Sequence, residues 1–166
     1  MLALQISSTK EFMNKLLSDT TFDIFLLEEA TLSTAVTYTI DGHINKEFYP
    51  TEEQTSDIIP YEFKPWSEIK GLCFNLIKGK HTPLFFKFVF HLKPEYVESM
   101  LKKANCEVTA DSVRALVLSV KYDGSKITLT TGSAFNTFVM NKEPDILWDK
   151  NLLKHLDGNK ITYELL

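Results

Sequence analysis

The chain has 166 residues, 24% of them charged, with a formal net charge of −4 and 12 phenylalanines. That length holds one domain burying most of its apolar surface and is too short for two independent cores, so residues 1–166 are expected as a single domain. The negative balance excludes a general attraction to nucleic acid or anionic lipid and leaves room for a local basic patch.

In chain order, Leu2–Ile6 predicts a short strand. Ser8 or Thr9 can cap a helix beginning at Lys10, with Phe12, Met13, Leu16 and Leu17 at helical spacing. Asp19-Thr20-Thr21 ends it, and Phe22–Glu28 is apolar enough for a buried strand. Thr31–Ile40 alternates hydroxyl and apolar residues, and Asp41-Gly42 predicts a hairpin turn to a return strand at about His43–Tyr49. Residues 50–64 carry Glu52, Glu53, Asp57 and Glu62 with two prolines, which predicts an acidic, partly extended connector.

Trp66–Ile77 is ambiguous: Ser67-Glu68 suits a helix start, whereas Leu72, Cys73, Phe74, Leu76 and Ile77 suit a buried strand. A long hairpin is preferred, turning at Lys78–Pro83 into a strand at Leu84–Leu92. Pro94 then opens a helix with Tyr96, Val97, Met100 and Leu101 as its apolar stripe. Val113–Lys121 and Lys126–Thr131 are strands joined at Asp123-Gly124, followed by a strand at Phe135–Met140 after Gly132-Ser133. A short helix from Glu143 to Leu153, a tight turn at Asp157-Gly158 and a strand at Ile161–Leu165 complete the chain. The 12 Phe residues, several in β-like runs, predict a sheet with an aromatic core.

Two pairs of landmarks recur. Glu11–Leu17 and Glu95–Leu101 are amphipathic helices offset by 84 positions, and the two Asp-Gly turns are offset by 82. A duplicated strand–helix–strand–strand–strand unit, with halves at about 1–49 and 84–140, accounts for this; chance recurrence in an α+β chain is the alternative. The expected class is α+β, mostly antiparallel sheet with two principal helices in pseudo-repeated halves. This element order resembles a single domain of the sliding-clamp (DNA clamp) fold, which implies helices on one side of curved sheets. The stretches Gly79-Lys80-His81-Thr82-Pro83-Leu84, Thr130-Thr131-Gly132 and Trp148-Asp149 are similar to an uncharacterised family of small proteins from anaerobic Gram-positive bacteria, a resemblance that implies no activity.

The clamp resemblance would put Lys10, Lys15, Lys102 and Lys103 on a helix face towards nucleic acid. Each helix nets only about one positive charge, so nucleic-acid binding is the weakest expectation. Gly79-Lys80 lacks the upstream glycine and the following Ser or Thr of a phosphate loop. His43, His81, His91 and His155 show no ligand spacing, and Cys73 and Cys106 are too few for a metal knuckle or disulfide framework, so no metal or cofactor is expected. Glu28 and Glu29 would converge only across a β-bulge. Thr130–Ser133 is a possible anion-binding turn, with a strand end as the plainer account.

No converging catalytic set emerges, so a non-enzymatic protein-binding or self-associating module is the leading expectation, acting through sheet edges or the acidic connector. Trp66, Lys80, His81 and Trp148 are the candidate binding surface. The alternative is a ligand-binding protein or enzyme in which Lys80 or His81 meets a carboxylate over an apolar floor. A chain with no basic leader and no membrane-length apolar run is expected in the cytoplasm.

Overall fold

A computed structural model describes residues 1–166. The elements are β1 (Ala3–Ile6), α1 (Thr9–Leu17), β2 (Phe25–Ser33), β3 (Thr37–Asp41), β4 (Lys64–Pro65), α2 (Trp66–Ile77), β5 (Phe85–Leu92), α3 (Pro94–Lys103), β6 (Val113–Tyr122), β7 (Ile127–Phe135), α4 (Glu143–Gly158) and β8 (Tyr163–Leu165). The strands form one antiparallel sheet in the order β3-β2-β5-β6-β7-β1-β8, with β4 also paired to β2. The protein is α+β, as its sequence indicates.

Strand alternation gives the sheet two unlike faces. Leu27 and Leu32 of β2, Phe86, Phe88 and Phe90 of β5, Leu118 and Val120 of β6 and Leu129 of β7 are buried on one face. All four helices contribute to the same core, through Phe12 and Leu16, Trp66 and Cys73, Val97 and Met100, and Trp148 and Leu152. Aromatic rings fill its centre: Trp66 lies edge-on to Phe88 and Phe90 at 5.2 and 5.0 Å, and Phe25 meets Phe90 at 5.6 Å. The opposite face is largely polar, and one row of partners across it reads Thr39, Thr31, Lys87, Lys121, Thr128, Gln5 and Glu164.

Local chemistry explains several elements. The Ser8 side chain caps α1 by accepting from the Glu11 amide, and Pro94 occupies the first turn of α3. Asp123 closes the β6–β7 hairpin by accepting from the Ser125 and Lys126 amides, both at 2.9 Å, beside Gly124 at φ +95°.

Five expectations are corrected. Residues 66–77 form helix α2, not a hairpin arm. Its buried residues, Trp66 and Cys73, share a helical stripe with Ile69, Leu76 and Ile77, while Leu72 and Phe74 stay 51% and 42% exposed. Asp41-Gly42 is not a hairpin turn; β2 reverses into β3 through residues 34–36, pairing Ser33 with Thr37. No strand spans 43–49, where a single bridge joins His43 to Phe63. Gly132-Ser133 lies inside β7, which runs unbroken to Phe135 and leaves no separate strand at 135–140. Finally, α4 continues through Asp157-Gly158, so that pair ends a helix and does not form an independent turn.

The proposed equivalence of halves is not carried by the strand order. β5 lies between β2 and β6, whereas β1 lies between β7 and β8.

Gly42 has a different task. At Glu28 the β2 strand bulges, and its edge partner changes there from β4 to β3. The Gly42 amide donates to the Glu28 carbonyl and the Gly42 carbonyl accepts from the Lys64 amide, each at 2.8 Å.

Candidate functional site

The loop from α2 to β5, Lys78 to Leu84, packs across α1 and closes one side of a groove of about 480 Å³. Gly79 has φ +148°, which lets the backbone turn where an L side chain would be strained. The floor is apolar: Met13 and Leu17 of α1, Ile77 of α2, Phe86 of β5 and Tyr122 of β6. Thr9 and Asn14 add hydrogen-bonding groups on the α1 side.

The rim is cationic. Lys10, Lys78, Lys80 and His81 all line the groove, all are exposed, and no carboxylate lines it. None of these four takes part in an ion pair; the paired cationic side chains are Lys15, Lys64, Lys70, Lys102, His43 and His91. The only aromatic contact of the rim cations places the Lys78 ammonium 5.9 Å from the Phe74 ring centroid. Three unpaired lysines in a chain of net charge −4 concentrate positive potential over one apolar floor. Lys80 and His81 thus meet the apolar floor expected of a ligand-binding protein or enzyme, without the carboxylate that the same reading expected beside them.

The other expected site residues separate. Trp66 and Trp148 are 0% and 3% exposed, so neither is a surface anchor. Each indole N–H is consumed inside, donating to the Leu16 carbonyl at 2.9 Å and to the Val117 carbonyl at 3.0 Å. Lys10, Lys15, Lys102 and Lys103 do not form a free cationic face. Lys15 pairs with Asp19 at 3.5 Å and Lys102 with Glu98 at 2.6 Å, and only Lys10 borders the groove. The Thr130–Ser133 stretch is no anion turn but part of strand β7, and two of its hydroxyls serve α4: Thr131 donates to Asp149 at 2.5 Å and Ser133 to Asp145.

The chain belongs to DUF5721, a family of unknown function, whose model matches residues 15–164. No curated protein and no solved structure matches the chain. The matched span covers all of the family member's groove except Thr9, Lys10, Met13 and Asn14.

Elsewhere in this family member, burial pushes the Cys73 thiol up to about 12, and burial is also the largest cause raising Cys106. Both are free thiols, and neither is activated. No three His, Cys, Asp or Glu side chains converge as a metal site. His155 Nε2 lies 2.8 Å from the Thr21 carbonyl, which makes it a structural tie. His91 is the residue that sequence reasoning undervalued: its Nε2 lies 2.8 Å from Glu28 Oε2. That contact depends on the bulge at Glu28, a long-range feature with no local signature.

Proposed function

We propose that this protein is a non-catalytic binding module whose principal ligand is an amphipathic anion seated in the groove between α1 and the α2–β5 loop. The observation that carries this reading is the pairing of three unpaired lysines and His81 with an apolar floor and no lining acid. A carboxylate or phosphate head would neutralise the rim, and an apolar tail would cover Met13, Leu17 and Ile77. The absence of a carboxylate near Lys80 and His81 leaves general acid–base catalysis there without an orienting partner. Two free cysteines and no helix long and apolar enough to cross a membrane support a cytoplasmic setting.

Calorimetric titration with decanoate tests the groove, with decanol as the uncharged control and inorganic phosphate as the headless one. Decanoate should bind saturably, and Lys78→Glu/Lys80→Glu should weaken it by roughly tenfold or more, which corresponds to about 1.4 kcal/mol. Equal binding by the double variant, or binding of decanol as tight as that of decanoate, would refute the site.

A second reading, self-association through the sheet edge, is favoured by β3. This terminal strand of five residues, Thr37 to Asp41, contains no lysine, proline or bulge, and none of its backbone groups bonds outward.

A further inference from the structure

Residues 60–63 of the connector return over the largely polar face of the sheet and wall off a second cavity, of about 320 Å³. Its walls are fixed by several contacts. Ile59 is buried, the Phe63 ring stands edge-on to His91 at 4.8 Å, and the Tyr61 hydroxyl donates to Glu95 at 2.5 Å with Lys93 over its ring. The volume is at the lower end of the range for small-molecule pockets, about 300–1,000 Å³.

The charges around this cavity differ in kind from those of the lysine groove. Arg114, the one arginine of the chain, lines it together with Glu28 and Glu62. Opposite charges sharing one small cavity would ordinarily be found paired. Here Arg114 has no ion pair within 4.0 Å and no side-chain hydrogen bond. Glu28 keeps one oxygen on His91 and the other unengaged, while Glu62 has only a loose contact with His43 at 3.9 Å. The guanidinium and the carboxylates therefore flank the cavity without closing on each other. Leu26, Val117, Ala115 and Ala134 line the same cavity, and their short or aliphatic side chains give it an apolar wall.

We propose that this cavity binds a small amino-acid zwitterion with an aliphatic side chain. Arg114 takes the carboxylate, Glu28 and Glu62 take the ammonium, and the apolar wall takes the side chain. Arginine suits the first task because its planar fork can grip a carboxylate through two parallel hydrogen bonds. His91 is a positioning residue: its bond to Glu28 fixes one carboxylate oxygen and leaves the other aimed for the ligand. The site is independent of the lysine groove, which offers no anionic group to an ammonium.

The test uses the full chain carrying Lys78→Glu/Lys80→Glu, so that the cationic rim of the groove is weakened, with thermal-shift and calorimetric readouts. L-Leucine is the probe. L-Leucinamide lacks its carboxylate and 4-methylpentanoate lacks its ammonium. Leucine should bind saturably, and each truncated analogue should bind roughly tenfold more weakly or worse. Arg114→Gln should weaken leucine by roughly tenfold while leaving leucinamide unchanged, and Glu28→Gln should weaken leucine while leaving 4-methylpentanoate unchanged. Arg114 is exposed, so its loss should not unfold the chain, and circular dichroism checks this. No leucine binding, undiminished binding by Arg114→Gln, or 4-methylpentanoate binding as tightly as leucine would each overturn the proposal.

Discussion

Gly42 shows how one missing side chain can hold an irregular join together. Its two backbone hydrogen bonds tie β2 to the strand edge beside the Glu28 bulge. A Cβ at this position would stand 1.8 Å from the Leu27 carbonyl oxygen, and backbone cannot rotate away as a side-chain tip would. Gly42→Ala should therefore force β2 and its partner apart, at a cost of about 1–3 kcal/mol, in the range of overpacked sites. Urea unfolding measures it, and an unchanged midpoint would show that the join is looser than described. The same residue shows why local signals misled at this point. Asp41-Gly42 carries the chemistry of a hairpin turn, and Asp41 does accept from the His43 amide at 2.9 Å. The glycine is demanded by a close approach to Leu27, fifteen positions away, which no window around Gly42 contains.

At the scale of elements, legibility followed how much each element depends on its own residues. α1 and α3 were legible because cap, proline and apolar stripe are all local, and the β6–β7 hairpin because Asp123 and Gly124 supply both its hydrogen bonds and its positive φ. α2 was not, because apolar residues surround it and blur the period. The stripe Trp66, Ile69, Cys73 and Leu76–Ile77 was present, but Leu72 and Phe74 mimic a continuous strand. In the lysine groove, Lys78, Lys80 and His81 were legible as one exposed turn, whereas Lys10 joins them only through the packing of α1 beside α2. The connector was legible in composition alone; its anchorage at Tyr61 is tertiary. Burial first, then the hydrogen bond to Glu95, raises the Tyr61 hydroxyl to about 12. The unfolded chain ionises near its ordinary value of about 10, so the folded state holds a proton that the unfolded state loses. The contribution is fully present below pH ~10 and is lost as pH rises through ~12. Urea midpoints of the wild type and Tyr61→Phe should therefore differ near neutrality and converge from about pH 10 upward. A gap that stays constant across that range would mean that Tyr61 holds the connector by packing alone.

The whole molecule presents one helix-covered face and ends on a bare strand. That β1 slots between β7 and β8 was beyond sequence reach, since it unites residues more than a hundred positions apart, such as Leu4 and Leu129. The consequence is that β3, not a strand from the chain's end, forms one border of the sheet. β8, at the other border, has only three residues, with Glu164 at its centre. Two copies of β3 meeting antiparallel about a twofold axis would pair Tyr38 with Ile40 and place Thr39 opposite its own mate. Such cross-strand aromatic–aliphatic pairs contribute about 0.2–1 kcal/mol each. A five-residue edge also buries far less than the ~1,600 Å² of a standard interface, so the dimer should be weak and visible only at high protein concentration. The axis supplies a sharp test. Thr39→Lys sets two ammonium groups face to face, and Thr39→Glu sets two carboxylates so, and each variant should be monomeric by light scattering coupled to size exclusion. Mixing the two should restore a dimer of one copy each, because Lys now faces Glu. A wild type that stays monomeric at millimolar concentration, or a Thr39→Lys variant that still dimerises, would remove β3 as the contact.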